Sequence, residues 1–184
     1  MAVRIGAKLD AGSDDPLGML RDCHRRIENF LRVLCHAAER RHEDALSAEE
    51  QTAVESALEY FRTGGKRHTQ DEEESLFPRL YGTVDADELK ALGDLEQEHS
   101  EANGLHADVD RLFRGWIASG TLSVEERNAL LTATTRLKTL YEGHIQVEES
   151  VVFPRAAAVL DPDSIAAIGS KFRTRRRQSD HSAA

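Results

Sequence analysis

Apolar residues recur at alternating steps of three and four along four stretches of the chain, the repeat of a helix with one buried face. The first stripe is Leu17, Leu20, His24, Ile27, Leu31 and Leu34, and the second is Val54, Leu58, Phe61, Gly65, His68, Glu72 and Leu76. The third is Leu92, Leu95, His99, Ala102, His106, Val109 and Phe113, and the fourth Leu130, Thr134, Leu137, Tyr141, His144, Glu148 and Val151. Punctuation sets the ends. Helix one is expected from Ser13-Asp14-Asp15-Pro16 to about Arg41, acids and proline suiting a first turn. Helix two opens at Ser47 with a capping box closed by Glu50 and runs to about Leu80, interrupted at Gly64-Gly65. Helix three opens at Asp85, with Glu88 three residues on, and ends before Ser119-Gly120. Helix four runs from Ser123, with Glu126, to about Val159, and Asp161-Pro162-Asp163 starts a short last helix leading into a basic tail. Strand-like alternation is nearly absent. The pattern predicts an all-α fold, an up-down-up-down four-helix bundle over residues 14–158, with residues 159–184 forming the short helix and a flexible tail.

Six polar residues stand where leucine belongs: His24, His68, Glu72, His99, His144 and Glu148. A buried ionised glutamate is costly unless it is paired or binds a metal, and no lysine or arginine shares the stripe near either one. His68 and Glu72 are four apart, one turn from each other on one helix face, and His144 and Glu148 repeat this. The surrounding sequence repeats too. Residues 68–79 and 144–155 share the pattern H-x-Q-x-E-E-x-x-x-F-P-R, and the spacing from His24 to His68 is 44 residues against 45 from His99 to His144. The chain is thus two helix pairs, each with one lone histidine and one H-x-x-x-E turn. Packed about a pseudo-two-fold axis, they bring four imidazoles and two carboxylates to one level of the core. A lone histidine on an apolar stripe is ordinarily a plain core residue; six such residues spread over four helices share a cause.

Composition narrows the setting. The chain has 184 residues with 24 basic and 33 acidic side chains, a net charge of −9, which disfavours nucleic acid as the main partner. Cys23 and Cys35 are its two cysteines, too few for a disulfide scaffold. No apolar run approaches a membrane span and Met1 to Asp15 has no apolar signal segment, so a cytoplasmic protein is expected. The run from Lys171 to Arg177 carries five bases in seven residues and reads as a solvated end, with binding to nucleic acid or an acidic partner as the weaker alternative.

Imidazole with carboxylate and no thiolate suits iron, manganese or zinc, and the symmetry favours two metals, each on two histidines with both glutamates free to bridge. These residues resemble the hemerythrin/HHE cation-binding domain family. Its order of H, H-x-x-x-E, H, H-x-x-x-E falls on His24, His68–Glu72, His99 and His144–Glu148, and Phe77-Pro78 and Phe153-Pro154 after each glutamate are similar to it as well. The resemblance implies two iron ions, oxo- or hydroxo-bridged and spanned by Glu72 and Glu148, with manganese or zinc as alternatives. It also implies a small partner: dioxygen, hydrogen peroxide or nitric oxide.

Oxygen-carrying hemerythrins place a second histidine four residues from the one on the third helix, and Leu95 and Asn103 occupy those places here. One fewer protein ligand leaves exchangeable positions, which favour reaction over reversible carriage. Two functions are therefore expected: oxidative or nitrosative chemistry with peroxide-decomposing activity, or a non-catalytic iron- or oxygen-sensing module. A zinc-stapled bundle is a third, purely structural option. Tyr141, one turn before His144, is the candidate to donate a hydrogen bond or electron to bound oxygen, with core packing as its plain alternative. Glu73, Glu149, His106 and Asn103 are candidates for a supporting layer. For Glu73 and Glu149 the plain alternative is a solvated acid, and His106, seven residues beyond His99, lies too far along the helix to share its metal. Cys23 is read as packing. His36, His42 and His181 fall off the stripes and are read as solvated.

Overall fold

Caps and prolines set the helix ends. In a computed structural model describing residues 12, 14–40, 45–83 and 85–182, with side chains as far as Gln178, the chain forms five helices and no strand among the described residues. Helix α1 is Pro16–Ala38, capped by Asp15, whose carboxylate accepts from Gly18 N at 2.8 Å. Helix α2 covers residues 48–80 behind the Ser47–Glu50 capping box. Helix α3 is Ala86–Ser119, opened by the Asp85–Glu88 box and stopped by Gly120 at φ 76°, a left-handed value suited to glycine. Helix α4 covers residues 124–159 behind the Ser123–Glu126 box. The expected starts at Ser47, Asp85 and Ser123 are thus realised. Ser13, Arg41 and His42 lie outside the described residues, as does the His181 side chain.

Three stretches of α2 and α4 widen into π turns: Phe61–Gly65, Glu72–Leu76 and Glu148–Val152. The last two have a cause in the repeat. Pro78 and Pro154 bring no N–H and crowd the carbonyl four residues back, so the preceding turn opens by one residue. Phe77 N–H accordingly donates to Glu72 O and Phe153 N–H to Glu148 O, each five residues back. The first occurs at Gly64-Gly65, where a break was expected and the helix instead continues. A Cβ at Gly64 would lie 2.7 Å from the Tyr60 ring, so any larger residue there would force that ring to move.

Helix α1 packs against α2 and α4, α3 packs against α4, and α2 meets α3. Their apolar faces make two separate clusters. One holds Ile27, Leu31, Leu34, Val109, Phe113 and Leu137; the other holds Leu20, Leu76, Phe77, Leu95, Phe153 and Phe172. Between them lies the polar layer.

The C-terminal segment differs from the expected short helix and tail. It is one 21-residue helix, α5, Pro162–Ser182, packed on α1 and α2. Ile168 and Phe172, one turn apart, are fully buried in the second cluster. Arg175 and Arg176 reach the buried carboxylate of Asp71 at 2.8 and 2.9 Å. The basic run therefore serves as a clamp, because Asp71, fully buried, needs cationic partners. No helix among the described residues is long and apolar enough to cross a membrane.

Candidate metal centre

All six predicted ligands are buried: His24, Glu72 and Glu148 are 0% exposed, His144 1%, His68 3% and His99 4%. Their inward atoms form two groups, His24, His68, Glu72 and Glu148 in one and His99, His144, Glu72 and Glu148 in the other, with the donor atoms of each group within 4.8 Å of one another. Both glutamates face both groups. Glu72 turns Oε1 to His68 Nε2 at 3.3 Å and to His24 Nε2 at 3.9 Å, and Oε2 to His99 Nε2 at 3.4 Å. Glu148 turns Oε2 to His24 Nε2 at 3.0 Å and Oε1 to His144 Nε2 at 3.5 Å.

None of these eight atoms makes a well-aligned hydrogen bond. They converge on shared spaces, and ion-pair attraction between them replaces their lost hydration only in part. A cation in each space would satisfy four of them, so the donor set fits a pair of metal ions. Without metal, the carboxyls divide. Burial and the neighbouring Glu148 carboxylate hold Glu72 well above the usual range, whereas Glu148, though burial opposes it, is held well below by His144 and His24. Burial and the adjacent His24 push His68 far down. Burial opposes charge on His144 too, but Glu148 and Glu98 outweigh it and raise that imidazole.

Around the ligands, the outward nitrogens meet acids. His24 Nδ1 donates to Glu149 Oε1, and His99 Nδ1 to Glu73 Oε1, both at 2.9 Å. Glu73 and Glu149 thus do more than meet solvent, and each reaches the lone histidine of the other half. His144 Nδ1 donates to Glu98 Oε2 at 2.9 Å. Glu98 escaped the sequence reading because it lies off the apolar stripe and is 40% exposed; its only signal was its place directly before His99. Asn103 is exposed on α3. His106 sits away from the ligands as its spacing requires, stacked on Phe61 with ring centroids 4.3 Å apart. Its Nε2 lies 3.0 Å from the Tyr141 hydroxyl, and burial lowers its pKa to about 4. Tyr141 is buried, its ring 6.3 Å from that of His144, and burial with the Glu72 and Glu148 charges holds its phenol well above the usual range. A surface cleft of about 390 Å³ between α1 and α4 is lined by Leu31, Cys35, Lys138 and Tyr141. His36 is exposed at its rim. Cys23 and Cys35 are free and buried.

The profile of the family described as "Hemerythrin HHE cation binding domain" matches residues 15–156, which span all six candidate ligands. The chain belongs to the hemerythrin HHE cation-binding family. An uncharacterized protein of Haemophilus influenzae is 23% identical over 168 residues, 89% of this chain and 91% of its own length. The HHE domain accounts for helices α1 to α4, while α5 lies beyond the matched residues and packs onto the domain.

Proposed function

We propose that the chain is an up-down four-helix HHE bundle that holds two iron ions and uses them to bind, and react with, dioxygen, hydrogen peroxide or nitric oxide. His24 and His68 would hold one ion and His99 and His144 the other, with Glu72 and Glu148, which face both groups, available to each. The observation that carries this reading is the set of eight buried, inward-aimed donor atoms without hydrogen bonds, divided evenly between two spaces. Two ferrous ions bound there would supply one electron each to an oxidant.

The chain's own residues do the rest. Glu149, Glu73 and Glu98 fix which ring nitrogen of His24, His99 and His144 faces inward. The apolar clusters on either side exclude water from the layer. The surface cleft that Tyr141 helps to line lies one helical turn from His144 and is the approach proposed for a small molecule. Neutral His106, its Nε2 3.0 Å from the phenol oxygen, holds the Tyr141 hydroxyl in place. The setting proposed is the cytoplasm, where two free thiols persist.

One observation favours a second reading, a non-catalytic iron- or oxygen-sensing module. Asp71, adjacent to Glu72, is tied to Arg175 and Arg176 of α5, so metal occupancy has a direct route to the last helix. Anaerobic ferrous reconstitution followed by hydrogen peroxide separates the two. Oxygen release lost in His68→Ala supports the reactive reading. Absence of turnover with a large metal-dependent rise in melting temperature supports sensing.

A further inference from the structure

The internal repeat relates His24 to His99, His68 to His144 and Glu149 to Glu73. Two supporting bonds obey that exchange: Glu149 takes Nδ1 of His24, and Glu73 takes Nδ1 of His99, both at 2.9 Å. The third has no counterpart. Glu98, directly before His99, takes Nδ1 of His144, whereas the residue directly before His24 is Cys23. His68, the counterpart of His144, is 3% exposed, and its Nδ1 is buried without a hydrogen-bond partner. A second difference falls on the same side. Glu149 divides its charge between His24 and the Arg25 guanidinium at 2.8 Å, while Ser100 occupies the position corresponding to Arg25 and brings no charge.

A carboxylate on the outward nitrogen of a ligating imidazole fixes its tautomer and makes the inward nitrogen a stronger donor. His99 and His144 both have this support in full. His24 has a shared acid, and His68 has none.

We infer that the two metal positions are unequal: the His99/His144 position fills first and holds its cation tighter, and the His24/His68 position is the exchangeable one. The inference rests on the six residues being metal ligands. It means that at limiting metal the chain holds a single cation on the α3/α4 side, and that the second is gained and lost without emptying the first. Supporting carboxylates of this kind change metal affinity by roughly 10–100-fold, which sets the expected difference.

Cobalt(II), titrated anaerobically into the metal-free chain and followed by calorimetry and visible absorption, tests it. Repulsion between neighbouring cations would split the titration by itself, so variants carry the test. Glu98→Gln, a conservative change at a half-exposed site, should weaken the first step by about tenfold or more. His68→Ala should keep the first step at its original affinity and lose the second. A first step unchanged in Glu98→Gln, or weakened by His68→Ala as much as by His144→Ala, overturns the inequality. No cobalt uptake by the unaltered chain instead overturns the reading of the site itself.

Discussion

Phe153 lies flat against His24, ring centroids 5.5 Å apart and planes at 12°, and Phe77 lies parallel to His99 at 6.4 Å and 9°. Each phenylalanine comes from the F-P-R end of one repeat and backs the lone histidine of the other half. The π turn forced by the following proline carries both the glutamate and this phenylalanine, so one local distortion aims a ligand and braces a second. Phe153→Ala should cost about 3–5 kcal/mol through its cavity. Phe153→Leu should cost under about 1.5 kcal/mol. Both should weaken metal binding, because His24 loses its flat support. Urea unfolding of the metal-free protein, paired with a metal titration, reads the two effects separately.

Glu72 is a liability to the empty fold. Its carboxyl is fully buried, raised well above the usual range, and lacks a hydrogen bond. Glu72→Leu should therefore stabilise the metal-free protein, by about 1 kcal/mol or more. The same variant should abolish the metal-linked gain, which in the unaltered chain should reach about 2.7 kcal/mol at a hundredfold excess over Kd. That gain corresponds to a rise of about 5–10 °C, reversed by a chelator. Calorimetric melting with and without metal checks both halves.

His106 supplies a pH signature. Burial lowers its pKa to about 4, below the ordinary value near 6.5, so between these values the unfolded chain binds a proton that the folded chain refuses. Stability contributed by neutral His106 is present above about pH 6.5 and is lost as pH falls towards 4, amounting to about 2–3 kcal/mol at pH 4.5. His106→Gln should lose less stability than the unaltered chain between pH 7 and 4.5. Denaturant midpoints of the two proteins at both pH values give the difference directly, with the other histidines cancelling.

The clamp on α5 is testable by a cycle. Asp71 is fully buried, and burial raises its carboxyl pKa even with two guanidinium groups beside it. Arg175→Ala with Arg176→Ala should cost about 3 kcal/mol or more, because a buried acid is left without its cations. Adding Asp71→Leu should restore much of that loss, the mark of a direct pair rather than of general damage. Thermal melting of the four proteins measures the coupling.

The buried cluster of four histidines and two glutamates was legible because each member interrupts an apolar stripe and because the repeat supplies a second copy to compare. The capping boxes at Ser47, Asp85 and Ser123 were legible because capping is a local matter of three or four residues. Glu98 was not, since its partner His144 lies 46 residues away and only the packing of α3 on α4 brings them together. The π turns were readable in retrospect from Pro78 and Pro154. The docking of α5 was hidden by its charge. Arg175 and Arg176 read as a solvated run until Asp71, on another helix, was seen buried beneath them. Asn103 was drawn in by its spacing from His99, yet it is exposed on α3.

Crystals of the iron-reconstituted chain, measured on both sides of the iron absorption edge, put the account to its most direct test. Two anomalous peaks per chain are expected, about 3.5–4 Å apart, one beside His24 and His68 and one beside His99 and His144, with a Glu72 and a Glu148 oxygen reaching each. A single peak, or none within reach of these six side chains, would contradict it.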